Sequence, residues 1–209
     1  PEAVVCLDAV SGNMIWKAAR PLDYNRWGWS TPTLVYYQGI LFSADRDTLA
    51  EREEKIKEVR WTPSVGADFP FGKLIAYSAD RGEVLWESTC RDGYHSPVDV
   101  LMAGDLLWTG NLISRKRDPG ITEGRDPRSG EVIRTRPPDQ EFYDPGMAHH
   151  RCYRNKATSK YILTGRAGIE FIDISTGEAI PHHWVRGTCQ YGIMPCNGLV
   201  YAPPHSCAC

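Results

Sequence analysis

Seven cysteines and six histidines are the side chains of this 209-residue chain best suited to chemistry, and their spacing limits what that chemistry can be. The cysteines stand at 6, 90, 152, 189, 196, 207 and 209. The number is odd, so at least one thiol is free, metal-bound or paired with another segment. No C-x-x-C pair occurs, which excludes zinc-ribbon and thioredoxin motifs, and no C-x-x-C-H occurs, which excludes covalent haem. Cys6 and Cys90 are expected as buried, essentially apolar side chains. Cys189, Cys196, Cys207 and Cys209 fall within 21 residues, on strands expected to pair around Asn197-Gly198. Residues two apart on a strand share a face, so Cys207, Cys209 and His205 belong together. Three readings of this tail stand: a disulfide to Cys189 or Cys196 in an oxidising compartment, buried thiols, or a His-x-Cys-x-Cys metal site.

The elements that must position these groups come from a background that is ordinary in bulk. There are 24 Lys and Arg against 26 Asp and Glu, for a net charge of −2, which excludes a generally basic nucleic-acid binder. The basic run Arg115–Arg117 is too short for nucleic-acid recognition and reads as a solvated loop. Asp139, Glu141 and Asp144 lack EF-hand spacing, and His182-His183 reads as an exposed turn pair. No apolar run reaches 18 residues, so no membrane-spanning helix is expected. With Pro1 in the first place and a Cys-rich stretch at the end, the chain reads as a piece of a longer protein.

A repeat organises the rest. Cys6-Leu-Asp8-Ala-Val-Ser11-Gly12-Asn-Met-Ile-Trp16 matches Ala76-Tyr-Ser78-Ala-Asp-Arg81-Gly82-Glu-Val-Leu-Trp86. Weaker copies follow at Asp126 to Ile133, around Gly130, and at Asp173 to Ile180, around Gly177. Each copy reads as a strand, a tight turn closed by glycine in a positive-φ position, and a second strand. The turn glycines lie 70, 48 and 47 residues apart. The long first gap holds an insertion at about 46–69 unlike the rest of the chain. Thr48-Leu-Ala-Glu51 is a helix capping box, Glu51–Lys55 and Glu53–Lys57 are spaced as helical ion pairs, and Leu49, Ile56 and Val59 share a face. Without those 24 residues the first period becomes 46. A period in the mid-forties with four short strands is the mark of a β-propeller blade.

The fold expected is therefore all-β, a β-propeller of four-stranded blades with one helical insertion. Half a blade occupies 1–20, whole blades about 30–87, 95–136 and 148–185, and another half 188–209. In the second whole blade the third strand is poorly marked, because Arg115-Lys-Arg-Asp-Pro-Gly lies where an apolar strand belongs. In the third, His149–Tyr153 is read as the first strand. The chain is expected to form an arc of a larger ring, the alternative being a four-bladed ring closed by its two half-blades.

The segments ending in Trp16 and Trp86 resemble the tryptophan-docking repeat of quinoprotein-dehydrogenase-like, or PQQ-like, β-propellers. The chain, and its Cys-rich tail above all, is also similar to uncharacterised bacterial PQQ-binding-like repeat proteins. The resemblance implies an eight-bladed ring in which each such Trp packs on the next blade, and a bacterial protein exported to the periplasm, envelope or exterior. It weakens along the chain: Arg134 stands in place of the third Trp and Pro181 of the fourth, with Trp184 nearby. Quinoprotein dehydrogenases of this fold carry two adjacent cysteines beneath the quinone, whereas here the nearest are Cys207 and Cys209, and no calcium-binding or catalytic residues of that family can be matched.

In a propeller the segment entering each first strand lies at the mouth of the central channel. Trp29, His95, His149, His150 and Tyr191 fall at such places, a set that could bind a small ligand or simply line a wet channel. The expected function is a non-catalytic binding or scaffolding platform, taking a small molecule or protein partner at the propeller face. The alternative is an oxidoreductase using PQQ and Ca²⁺.

Overall fold

At Gly12, Gly82, Gly130 and Gly177 the backbone takes φ between +70° and +77° in a computed structural model of the chain. Only glycine adopts this conformation without steric cost. Each of these glycines donates its N–H to the carbonyl four residues earlier, at Asp8, Ser78, Asp126 and Asp173. Three of those residues are aspartates for a reason the turn supplies. The carboxylate of Asp8 accepts the N–H groups of Val10 and Ser11, that of Asp126 those of Arg128 and Ser129, and that of Asp173 those of Ser175 and Thr176. These bonds favour the charged form. The Asp8 and Asp126 carboxyls are held below their ordinary range chiefly by the N–H groups of Ser11 and Ser129, and that of Asp173 chiefly by the Ser175 hydroxyl, which also donates to it.

The structure describes residues 2–21, 23, 31–58, 71–90, 98–111, 120–136, 154–165, 168–188 and 191–204. A hairpin of β1 (Ala3–Leu7) and β2 (Met14–Ala19) comes first. The first four-stranded antiparallel sheet is β3 (Thr33–Tyr37), β4 (Ile40–Arg46), β5 (Gly72–Ser78) and β6 (Val84–Cys90), with α1 (Leu49–Glu58) between β4 and β5. The second is β7 (Val100–Ala103), β8 (Leu106–Asn111), β9 (Gly120–Arg125) and β10 (Val132–Thr135). The third is β11 (Lys156–Ala157), β12 (Tyr161–Thr164), β13 (Glu170–Asp173) and β14 (Ala179–Ile180). A hairpin of β15 (Met194–Cys196) and β16 (Leu199–Tyr201) closes the series around Asn197-Gly198, both with positive φ. Strands pair in chain order throughout, so each sheet is a simple meander.

The sheets stack face to face. Ile40, Phe42, Ala44, Leu74 and Ala76 of the first form one core with Val98, Val100 and Leu107 of the second. Leu101, Leu106, Trp108 and Ile121, on the second sheet's other face, pack against Ile162, Ile172 and Ile174 of the third. Leu163 and Ile169 then meet Ile193, just ahead of β15. Each large apolar side chain buried this way contributes about 1.5–3 kcal/mol. The first strands also touch in succession, β3 with β7, β7 with β11 and β11 with β15, so they form the inner edge. Four-stranded meanders stacked about a common inner edge make an arc of a β-propeller.

Two expected strands fall in part outside the described residues. The third strand of the second sheet is described as Gly120–Arg125, and the basic run at 115–117 lies outside the described residues. In the third sheet the first described strand is Lys156–Ala157, and His149–Tyr153, read as that strand in sequence, lies outside the described residues.

The capping box forms as its spacing predicts: Thr48 N–H donates to Glu51 Oε2 at 2.7 Å, and Glu51 N–H to Thr48 Oγ1 at 3.1 Å. The ion pairs differ from simple i,i+4 spacing. Lys55 reaches back to buried Asp47 at 2.6 Å, and Lys57 pairs with Glu54, also at 2.6 Å. Lys73 on β5 reaches Glu51, and Arg52 lies over the Phe71 ring at 4.1 Å. The helix is thus tied to the blade by charge and stacking, while Leu49 on its expected apolar face is exposed.

Candidate functional site

Successive blades are joined by a seat made at each turn glycine. The Trp16 ring lies over Gly82, its atoms 2.6–2.8 Å from where a β-carbon would stand, so no other residue fits there unless the ring moves. Its indole N–H donates to Ala79 O at 2.7 Å, and the ring stacks on Tyr77. Trp86 repeats this on Gly130, with an N–H donated to Pro127 O at 3.1 Å. At the third seat Arg134 donates to Ile174 O at 2.9 Å, while the Arg136 β-carbon lies 3.7 Å from the β-carbon position of Gly177. Arg136 also donates to Gly177 O and Ile121 O. The third copy, degenerate as a sequence, keeps the hydrogen bond to the turn but not the ring over the glycine.

A buried bidentate pair adds to the first joint: Arg20, beyond β2, donates to Asp45 on β4 at 2.5 and 3.0 Å. The sequence reading missed it, although a strand ending in Asp45-Arg46-Asp47 signals charges that burial obliges to find partners.

The inner edge carries polar groups of a different kind. Thr33 Oγ1 donates to Val98 O, linking the starts of the first two inner strands. Asp99 is buried at the start of β7 and accepts the Asn155 N–H at 2.7 Å from the start of β11. Burial raises the Asp99 carboxyl to about 7, opposed by that N–H and by the positive charges of Arg154 and Lys156. Among the described residues, neither polar atom of the buried Asn155 amide has a hydrogen-bond partner. Such an amide forfeits about 1–3 kcal/mol unless something solvates it. Neither residue was singled out from sequence; an Asp inside the apolar run Pro97-Val-Asp-Val-Leu-Met was the available signal.

An open cleft of about 420 Å³ lies between α1 and the strands β5 and β6, lined by Asp47, Glu51, Glu54, Lys55, Lys73 and Glu87 among others. Its carboxylates and ammonium groups are largely spent on one another.

Of the residues singled out in sequence, Gly12, Trp16, Gly82, Trp86, Gly130 and Gly177 all stand at the repeat turns and seats. Tyr191 is exposed beside the Thr188–Gly192 bridge, and Cys196 ends β15 as an exposed free thiol. Cys6 is half-buried and Cys90 buried. Trp29, His95, His149, His150, Cys189, His205, Cys207 and Cys209 lie outside the described residues. Among the described residues no group of three or more His, Cys, Asp or Glu converges to hold a metal. Asp99 and Asn155 supply at most a carboxylate and an amide, short of the six to eight oxygens Ca²⁺ takes. The described residues therefore do not fit a PQQ–Ca²⁺ centre.

No known family matches the sequence, and no curated protein does. Among solved structures, the chain is similar to BamB from Moraxella catarrhalis, with 14% identity and a TM-score of 0.45, over 86% of this chain and 45% of BamB. It is also similar to the computationally designed Ika4 protein, with 14% identity and a TM-score of 0.46, over 88% of this chain and 91% of Ika4. The chain thus spans less than half the length of BamB. At this distance neither likeness carries an argument, and the fold assignment rests on the chain's own strand pairing and packing.

Proposed function

We propose that the chain is a non-catalytic binding scaffold built from PQQ-like blades, working in the periplasm or cell envelope and taking a protein partner. The observation that carries this reading is a surface repeated with the blades. Met14 and Ile15, Val84 and Leu85, and Val132 and Ile133 are exposed at the same two positions of successive outer strands, and Ile180 continues the series. Those strands are the open edges of their sheets. Apolar side chains recurring along unpaired edges suit contact with another protein, including added-strand pairing. The seats at Gly82, Gly130 and Gly177 keep that surface rigid.

The test is a titration of the intact protein with PQQ plus Ca²⁺, followed by anaerobic dye reduction with alcohols and aldose sugars. The scaffold reading expects neither saturable quinone binding nor reduction. Saturable binding with substrate-dependent reduction would replace it with the oxidoreductase reading.

The unpartnered Asn155 amide beside Asp99 supports a second role, a small polar ligand at the inner edge. Trp29, His95, His149, His150 and Tyr191 are the sequence candidates for its surroundings. Thermal unfolding across a panel of sugars and divalent cations tests this. A ligand shift lost in Asp99→Asn or in His149→Ala/His150→Ala supports the site; a panel with no shift sinks it.

A further inference from the structure

A cavity of about 130 Å³ lies in the joint between the β1–β2 hairpin and the first four-stranded sheet, and we propose that it binds a short neutral polyol. It shares no residue with the inner-edge group at Asp99 and Asn155, and it stands apart from the scaffold reading.

Two hydroxyls mark the cavity as a site. Ser43 on β4 and Tyr77 on β5 line it and are only 6% and 5% exposed. Neither hydroxyl has a hydrogen-bond partner among the described residues. A buried hydroxyl left so forfeits its hydration with nothing in return. Burial, and after it the negative charges of Glu87 and Asp45, raise the Tyr77 hydroxyl above its ordinary range, so it stays protonated and able to donate.

The next joint shows what fills the same place elsewhere in the chain. Tyr77 stands five residues before Gly82, and Arg125 five before Gly130. Ser43 and Thr109 match in the same way, since each pairs with the residue seven before its turn glycine, Ile75 and Glu123. Across the joint, Ala18 lies six after Gly12 as Ser88 lies six after Gly82. Arg125 donates to Thr109 Oγ1 at 3.4 Å, to Ser88 Oγ at 3.0 Å and to Gly130 O at 3.0 Å. The second joint therefore closes its polar groups on one another. In the first, a phenol replaces the guanidinium and an alanine replaces the serine, and both hydroxyls are left facing a cavity. All three positions have described counterparts at the first joint, so the difference is one of side chains.

The charges set the class of ligand. Arg20 is bound to Asp45 by two bonds, and Lys73 lies 3.5 Å from Glu51, so two cations and two anions face the cavity as pairs. An ion entering there would lose its hydration and meet no spare counter-charge. Val4, Ala19 and Ile75 supply apolar wall. A short carbon chain carrying adjacent hydroxyls satisfies Ser43 and Tyr77 and sets its C–H groups against that wall. Size agrees, since a cavity of roughly 150 Å³ holds a molecule the size of benzene. A polyol of three or four carbons fits, and a hexose does not. Glu51 and Lys73 also line the larger cleft beside α1, which points to entry between helix and blade.

The experiment titrates the intact protein with glycerol and erythritol, and with lactate and ethanolamine as charged probes of similar size, read by amide chemical shifts. The expected result is saturable shifts at 19–20, 43–45 and 73–77 with the two polyols and none with the charged probes. Ser43→Ala and Tyr77→Phe should each weaken erythritol binding about five-fold, the loss of one hydrogen bond. Tyr77→Phe keeps the ring that stacks on Trp16, so it removes the hydroxyl without removing the packing. Ala19→Leu, which fills the cavity, should abolish binding, and Asp99→Asn should leave it unchanged. Shifts that spread over the surface without saturating would overturn the proposal in favour of solvent exclusion only. Saturable shifts indifferent to Ser43→Ala, Tyr77→Phe and Ala19→Leu, or tighter binding of a charged probe, would overturn it as well. No shift at all would overturn it in favour of a cavity filled by water or by another part of the polypeptide.

Discussion

Arg134 donates to the carbonyl oxygen of Ile174 at 2.9 Å, and Ile174 stands three residues before Gly177 as Pro127 stands before Gly130. The acceptor of the Trp86 indole is thus reproduced one blade later for a guanidinium. What the joint requires is a planar N–H donor long enough to reach across the blade interface. Both side chains meet that need, though only one is aromatic.

Removing either donor should loosen one joint. Trp86→Ala loses a ring as well as a hydrogen bond and is expected to cost about 3–5 kcal/mol. Arg134 is exposed, so Arg134→Ala should cost less, about 0.5–1.5 kcal/mol, the range for an ordinary hydrogen bond. Arg134→Trp is expected to retain most of the stability. Urea unfolding read by tryptophan fluorescence and circular dichroism checks the order, and an Arg134→Trp variant as unstable as Arg134→Ala would refute the shared-seat account.

The turn glycines separate backbone strain from seat occupancy. Gly12→Ala, Gly82→Ala and Gly130→Ala impose nearly the same positive φ on alanine, at about 1–2 kcal/mol. At Gly82 and Gly130 the new methyl also collides with a tryptophan ring. Thermal melts of dilute protein should place Gly12→Ala well above the other two, and three equal losses would show that the rings do not set the cost.

Asp99 makes a pH prediction. Its folded carboxyl titrates near 7 against an ordinary 3.8, so the folded chain holds a proton that the unfolded chain releases between those values. The stability contributed by that proton is complete below about pH 4 and lost as pH rises through about 7. The loss is at most about 4 kcal/mol at 1.36 kcal/mol per pH unit. Asp99→Asn keeps an acceptor for the Asn155 N–H and should flatten this slope. Urea midpoints from pH 4 to 8 in both proteins decide it, since parallel curves would assign the slope elsewhere.

Thr48→Ala removes the reciprocal bonds of the capping box and should cost the helix about 1 kcal/mol. Hydrogen exchange in 49–58 should rise while exchange in β4 and β5 stays unchanged. Faster exchange in both strands would mean that the insertion supports the blade itself.

The repeat was legible because its turns need glycine at positive φ and its first two seats are filled by tryptophan, so the geometry marks single residue types. The capping box and the Asn197-Gly198 turn were legible for the same reason. Arg134 was not, because its match to tryptophan lies in reach and hydrogen bonding rather than in hydropathy. The short β11 and the charged β9 escaped for want of an alternating apolar pattern. Asp99, Asn155 and the Arg20–Asp45 pair are long-range meetings, and spacing along a strand cannot announce them. The aspartates of the turns were part of the repeated pattern, but their role as acceptors for two N–H groups each emerged from the structure.

The seats also give the arc a mechanical polarity. Trp16 leans forward onto Gly82, Trp86 onto Gly130, and Arg134 onto the segment before Gly177, so each of these three joints carries an anchor from its N-terminal neighbour. Tension applied at the N-terminal end would act first on the β1–β2 hairpin, whose ties to the next blade include the Trp16 seat and the Arg20–Asp45 pair. Releasing it would leave the Trp86 joint untouched. A load from that end should therefore peel the chain in discrete steps of one unit, each step taking with it the anchor that had covered the next glycine.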